Sequence, residues 1–193
     1  MFVAEFLSDV DVQPNVDAQP GPILAAVTFD EQGRSCLRHA LRRAAHTGRS
    51  AIALHVVHET ERNMGLYRCH DQGEELMPYA DVARRLLADL SAEVVAGLPN
   101  ADEIGLRQLV VEGLPKGRIA EVAELTGAEL VVVGGGGERP ALDRWFGRHV
   151  AETVRRRASC PVLIVDSDGN VVVDPGLPHV DRKQALPSGL ETH

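Results

Sequence analysis

The chain has 193 residues, enough for one domain with a full core, and 44% apolar against 25% charged residues is an ordinary globular balance. A formal charge of −8 argues against nonspecific binding to nucleic acid or to anionic membrane surfaces, and no stretch approaches the roughly 18 uncharged apolar residues of a membrane span. Aromatics are only 4%, so Val, Leu, Ile and Ala must build the core.

Residues 1–20 hold four acids, no Lys or Arg, and prolines at 14 and 20, which predicts an irregular arm. With no basic start, no secretory signal is expected, and the cytoplasm is the expected location. The pattern then tightens. Ile23–Thr28 reads as a first strand, and Asp30 as the N-cap of a helix whose apolar positions Cys36, Leu37, Ala40, Leu41 and Ala44 recur at helical spacing. Gly48 stands where a left-handed cap is wanted. Ala51–Val57 is a second strand, followed by a long polar connection over Thr60–Pro78 and a helix over Asp81–Ala96, closed by Gly97. Leu106–Glu112 is a third strand, and Pro115 opens a helix ending at Gly127. Leu130–Val133 is a fourth strand running into Gly134–Gly137; His149–Ala158 is a last helix and Val162–Asp166 a fifth strand.

Short unalternated apolar strands separated by helices imply a parallel sheet covered on both faces, and right-handed crossovers make it doubly wound. Residues 21–166 therefore read as one α/β domain. Residues 167–193 carry one strand-like patch, Val171–Val173, among Pro175, Pro178 and Pro187, and are expected to be an irregular extension.

The glycine run after the fourth strand sits where an open α/β sheet places its ligands. Glycines there let backbone N–H groups approach phosphate oxygens; a flexible surface connection is the plainer reading. A Walker motif is absent, and a dinucleotide fingerprint belongs after the first strand, not the fourth.

Gly134-x-x-Gly137, nine residues, then Gly147, together with AELVVVGGGG (residues 128–137) and HVAETVRRRASCPVLIV (residues 149–165), resembles the universal stress protein family. VVEGLPKGRIAEVAELTGAEL (residues 110–130), ILAAVTFDE (residues 23–31) and ALHVVHE (residues 53–59) extend the resemblance over about residues 21–166. It implies a strand order of 3-2-1-4-5 and a homodimer built on the fifth strand, Val162–Asp166. It also implies an adenine nucleotide, ATP with Mg²⁺ or AMP, between the first and fourth strands in one branch of the family. Carried over, Ala26, Val27 and Thr28 end the first strand, Val56 lines the adenine pocket, and Val133, Gly134, Gly137 and Gly147 hold ribose and phosphates.

Two positions depart from that pattern. Thr28 replaces the family's acid, with Asp30 two residues on better explained as the helix cap. The hydroxyl residue after the last glycine is also missing. Arg148 takes its place counting forward; counting back from ASCPVLIV, Arg148 aligns with the glycine and His149 with the hydroxyl. Arg148 has the fork to pair with a phosphate, and equally the length to project into water or obstruct the pocket.

His55, His58, Cys69 and His70 invite a zinc reading, but His55 and His58, three apart on a strand, do not share a face, and an ordinary strand-end histidine is the simpler account. Cys36, Cys69 and Cys160 form no CxxC pair and fit a reducing compartment. Arg155, Arg156 and Arg157 suit a solvated helix end. No metal site and no catalytic constellation is expected. The residues leave a nucleotide-binding regulatory protein, a nucleotide-free stress protein acting through protein contacts, and, with least support, a nucleotide hydrolase.

Overall fold

A computed structural model describes residues 20–58, 66–68, 76–135, 150–166 and 168–175. Strand β1 (Ile23–Ala26) leads to helix α1 (Glu31–Thr47), β2 (Ala51–Val57), a short ribbon of β3 (Leu66–Arg68) and β4 (Leu76–Pro78), and helix α2 (Tyr79–Ala96). Then come β5 (Leu106–Glu112), α3 (Pro115–Leu125), β6 (Leu130–Gly134), helix α4 over residues 150–157, β7 (Val162–Val165) and β8 (Val171–Val173). The main sheet runs β5-β2-β1-β6-β7-β8. Its first five strands are mutually parallel and carry the expected 3-2-1-4-5 order.

The helices take the faces the crossovers demand. Cys36, Leu37, Ala40 and Leu41 of α1, with Leu87, Leu90 and Val94 of α2, pack on Ile23, Ala25, Leu130 and Val132. Ile119, Val122 and Ala123 of α3, with Ala151 and Val154 of α4, pack on the alternate residues Leu24, Val131 and Val133. Both faces of each central strand are thus buried, which is why these strands read as unbroken apolar runs rather than alternating ones. Cys36 lies in this core, and burial pushes its thiol up to about 12, so it is an inert packing residue.

The ends of α1 follow its sequence signals. Asp30 Oδ1 accepts a hydrogen bond from Gly33 N at 2.9 Å, and Gly48 closes the helix with φ 68°. Gly97 closes α2 differently, with φ −85°, so no left-handed residue is needed there. None of the described helices is long and apolar enough to cross a membrane.

Two findings correct the sequence reading. The polar connection before α2 holds the antiparallel β3–β4 ribbon, whose three-residue strands are too short to show a period. The extension expected to be irregular supplies β8, which pairs antiparallel with β7. The cause is a turn built by Asp166. Its carboxylate accepts from the backbone N–H of Asp168 at 3.0 Å and of Asn170 at 2.7 Å, and Gly169 takes φ 82°. Arg43 pairs with Asp174, and His39 Nε2 donates to Gly169 O at 2.8 Å, fastening the hairpin to α1. The edge of Val162–Asp166 expected to receive a second copy is thereby occupied from within the chain. The arm at 1–19 and the tail from 176 onward lie outside the described residues.

Candidate functional site

The carboxyl ends of β1 and β6 are neighbours in the sheet, and the next described helices, α1 and α4, cover opposite faces. This is the switch point of a doubly wound sheet, the place where such a fold offers a ligand crevice. Ala26, Val56 and Val133 come from three adjacent strands and share the face covered by α3 and α4. Val133 is buried, whereas Ala26 and Val56 are half-buried. Val27 faces α1 instead; its N–H donates to Leu54 O at 2.8 Å. Thr28 is exposed at the top of the turn, where its hydroxyl donates to Asp30 Oδ1 at 2.7 Å. Asp30 thus serves as cap and turn brace together.

The structure changes the reason for the first two glycines. A Cβ at Gly134 falls 2.6 Å from Cδ of Gln32, which lies across the strand end from α1. A Cβ at Gly135 falls 2.5 Å from Cγ2 of Ile164. Gly135 N donates to Val165 O at 2.7 Å, so this residue still follows the β6–β7 ladder, and Gln32 Nε2 donates to the same carbonyl at 3.3 Å. A side chain at 135 would meet the branched Ile164, whereas one at 134 would meet only the flexible end of Gln32, which can move aside. Gly137, Gly147, Arg148 and His149 lie outside the described residues, as do Cys69 and His70.

Two site residues escaped sequence reasoning. Gln32 looked like one polar residue among many on α1. Gly33 looked like a helix glycine, yet its missing side chain lets α1 press on the turn: a Cβ there falls 1.8 Å from Thr28 O. A glycine three residues after a good cap was the available signal of close backbone approach.

His55 is buried beside this turn. Its Nδ1 donates to Val27 O at 2.8 Å, and its ring stacks on Phe29 with centroids 4.1 Å apart. Burial holds the imidazole below its ordinary 6.5, against a smaller upward pull from the Val27 carbonyl. The unfolded chain takes up this proton near pH 6.5 and the folded chain only at lower pH. Stability from His55 is therefore full above about 6.5 and declines as pH falls toward the folded value. Unfolding curves from pH 7.5 to 5 are expected to show this decline in the native chain and a flatter slope in His55→Asn; equal slopes contradict it.

A parallel α/β sheet covered on both faces, with its switch point between the first and fourth parallel strands, defines a doubly wound protein. The model of the universal stress protein family matches residues 21–166. The chain belongs to the universal stress protein family, and β8 lies beyond the matched segment. Among solved structures, it is similar to a universal stress protein in complex with cAMP, at 19% identity and a TM-score of 0.55, covering 77% of this chain and 99% of that one. It is also similar to hypothetical protein MJ0577, the subject of a structure-based assignment of biochemical function, at 21% identity and a TM-score of 0.52, covering 76% and 95%. A universal stress protein from Archaeoglobus fulgidus aligns at 18% identity and a TM-score of 0.50, covering 76% and 98%. No match is found among curated proteins. At these identities the likeness speaks for the fold.

Proposed function

We propose that the protein is a cytoplasmic regulatory protein that binds an adenine nucleotide, ATP with Mg²⁺ or AMP, at the switch point between β1 and β6. The observation that carries this is the juxtaposition of Ala26, Val56 and Val133 on one face of three adjacent strand ends, an apolar floor suited to a flat base. A similar fold taken in complex with cAMP supports the ligand class. Nucleotide at a hundred times its dissociation constant stabilises by about 2.7 kcal/mol, roughly 5–10 °C for a domain of this size. Millimolar ATP with magnesium is expected to raise the melting temperature by that order; no shift with ATP or AMP overturns the reading.

A second reading, a nucleotide-free protein acting through protein contacts, is favoured by specific features. The Thr28 hydroxyl is engaged with Asp30, and Gly135 is explained by packing against Ile164. Under either reading we propose self-association through β8 rather than through Val162–Asp166. Val171, Val172 and Val173 are exposed on the last strand of the sheet, Val172 to 62%, and none carries a charge to repel a second copy. Sedimentation is expected to show a dimer that Val172→Lys disperses; a 20.8 kDa monomer at every concentration contradicts it.

A further inference from the structure

His55 reaches from β2 into the turn that joins β1 to α1. A carbonyl oxygen can only accept, so the bond to Val27 O places the proton on Nδ1 and fixes the neutral tautomer. The same ring lies nearly flat on Phe29, with 28° between the planes. One side chain thus contacts the residue on each side of Thr28, adding to the ladder bond from Val27 N to Leu54 O. Within the turn, Thr28 bonds to Asp30 and Asp30 to Gly33 of α1. The ladder sets Ala26 and Val27 against the second strand, and His55 extends that hold to the Val27 carbonyl and the Phe29 ring, on either side of Thr28 at the wall of the crevice.

We propose that His55 is a positioning residue for the β1–α1 turn, holding that wall in register with the floor of the crevice and so setting nucleotide affinity. The second half of this inference rests on the nucleotide reading above; the first half does not. His55→Leu removes both the donor and the ring. His55→Asn returns a donor near the place of Nδ1 without the ring, and Phe29→Leu removes the stack while leaving the hydrogen bond.

Amide hydrogen exchange on the full chain separates positioning from general stability. In His55→Leu, exchange of residues 28–33 is expected to quicken about tenfold relative to Val131–Val133 of β6, and His55→Asn is expected to recover most of the protection. Should His55→Leu fail to fold, Phe29→Leu reads the same amides. Exchange that quickens equally in β1, β2 and β6, or an unchanged turn, overturns the proposal. ATP titration of the same variants follows. A tenfold loss of affinity in His55→Leu with partial rescue in His55→Asn supports the link, and unchanged affinity overturns it. A native chain that takes no ATP defeats the nucleotide reading alone, and the exchange data then decide the role of His55.

Discussion

Glu129→Ala is expected to cost about 3–5 kcal/mol of stability, whereas Arg49→Met, at the other end of the same ion pair, is expected to stay within about 1 kcal/mol. The pair sits at the amino ends of β1, β2 and β6, where three chain segments enter the sheet. Arg49 follows the cap of α1 and its side chain is 2% exposed; its partner Glu129 is 34% exposed. Glu129 Oε1 also accepts the N–H of Gly21 at 2.8 Å, and its own N–H donates to Pro22 O at 3.1 Å. Removing the carboxylate strands a buried guanidinium with nothing to neutralise it. Removing the guanidinium does the opposite: Nε and Nη1 are already buried without acceptors, so methionine eliminates two unpaired donors and fills much of the volume. Glu129, a third exposed, then keeps water and Gly21 N. For a domain of this size the loss in Glu129→Ala amounts to roughly 6–20 °C in melting temperature. Thermal and urea unfolding of both variants check it; equal losses contradict the asymmetry.

Gly33→Ala is the second large effect, and its sign runs against helix propensity. In an ordinary helix interior the change gains about 1 kcal/mol. Here the new methyl falls 1.8 Å from Thr28 O and 2.6 Å from Thr28 N, both backbone atoms with no rotamer to escape through. The first turn of α1 must lift from the β1–α1 turn, at about 1–3 kcal/mol. Gly97→Ala is the control: φ there is −85° and the nearest atom to the new methyl lies 3.6 Å away, so stability is expected to hold or rise slightly. Urea unfolding separates the two; a stabilised Gly33→Ala contradicts the close approach.

The sheet was legible because its strands are buried on both faces. ILAA, AIALHVV, LVVVG and VLIV are unbroken apolar runs, and Asp30, Gly48 and Pro115 punctuate the helices as their chemistry requires. β8 was not, although the Val171–Val173 patch stood out. Its pairing depends on the Asp166 turn and on Arg43 and His39 reaching from α1 across 130 residues of sequence or more, and prolines nearby argued for an irregular tail. The site divides the same way. Ala26, Val56 and Val133 were found by resemblance and do meet on one face, and Asp30 is the cap its position suggested. Only the folded chain brings Gln32 across the end of β6 to meet Gly134. The bond of His55 to Val27 and its stack on Phe29 join residues 28 and 26 positions apart, and no local pattern marks them.

The measurement that bears most directly on the proposed nucleotide site is a titration of the isotope-labelled full chain with ATP and magnesium, followed by amide chemical shifts. The account predicts saturable shifts concentrated at Ala26, Val27, Thr28, Val56, Val133, Gly134 and Gly135, with Gly21, Arg49 and Glu129 at the opposite ends of the strands unmoved. Spectra unchanged at millimolar ATP, or shifts centred on those opposite ends, would contradict it.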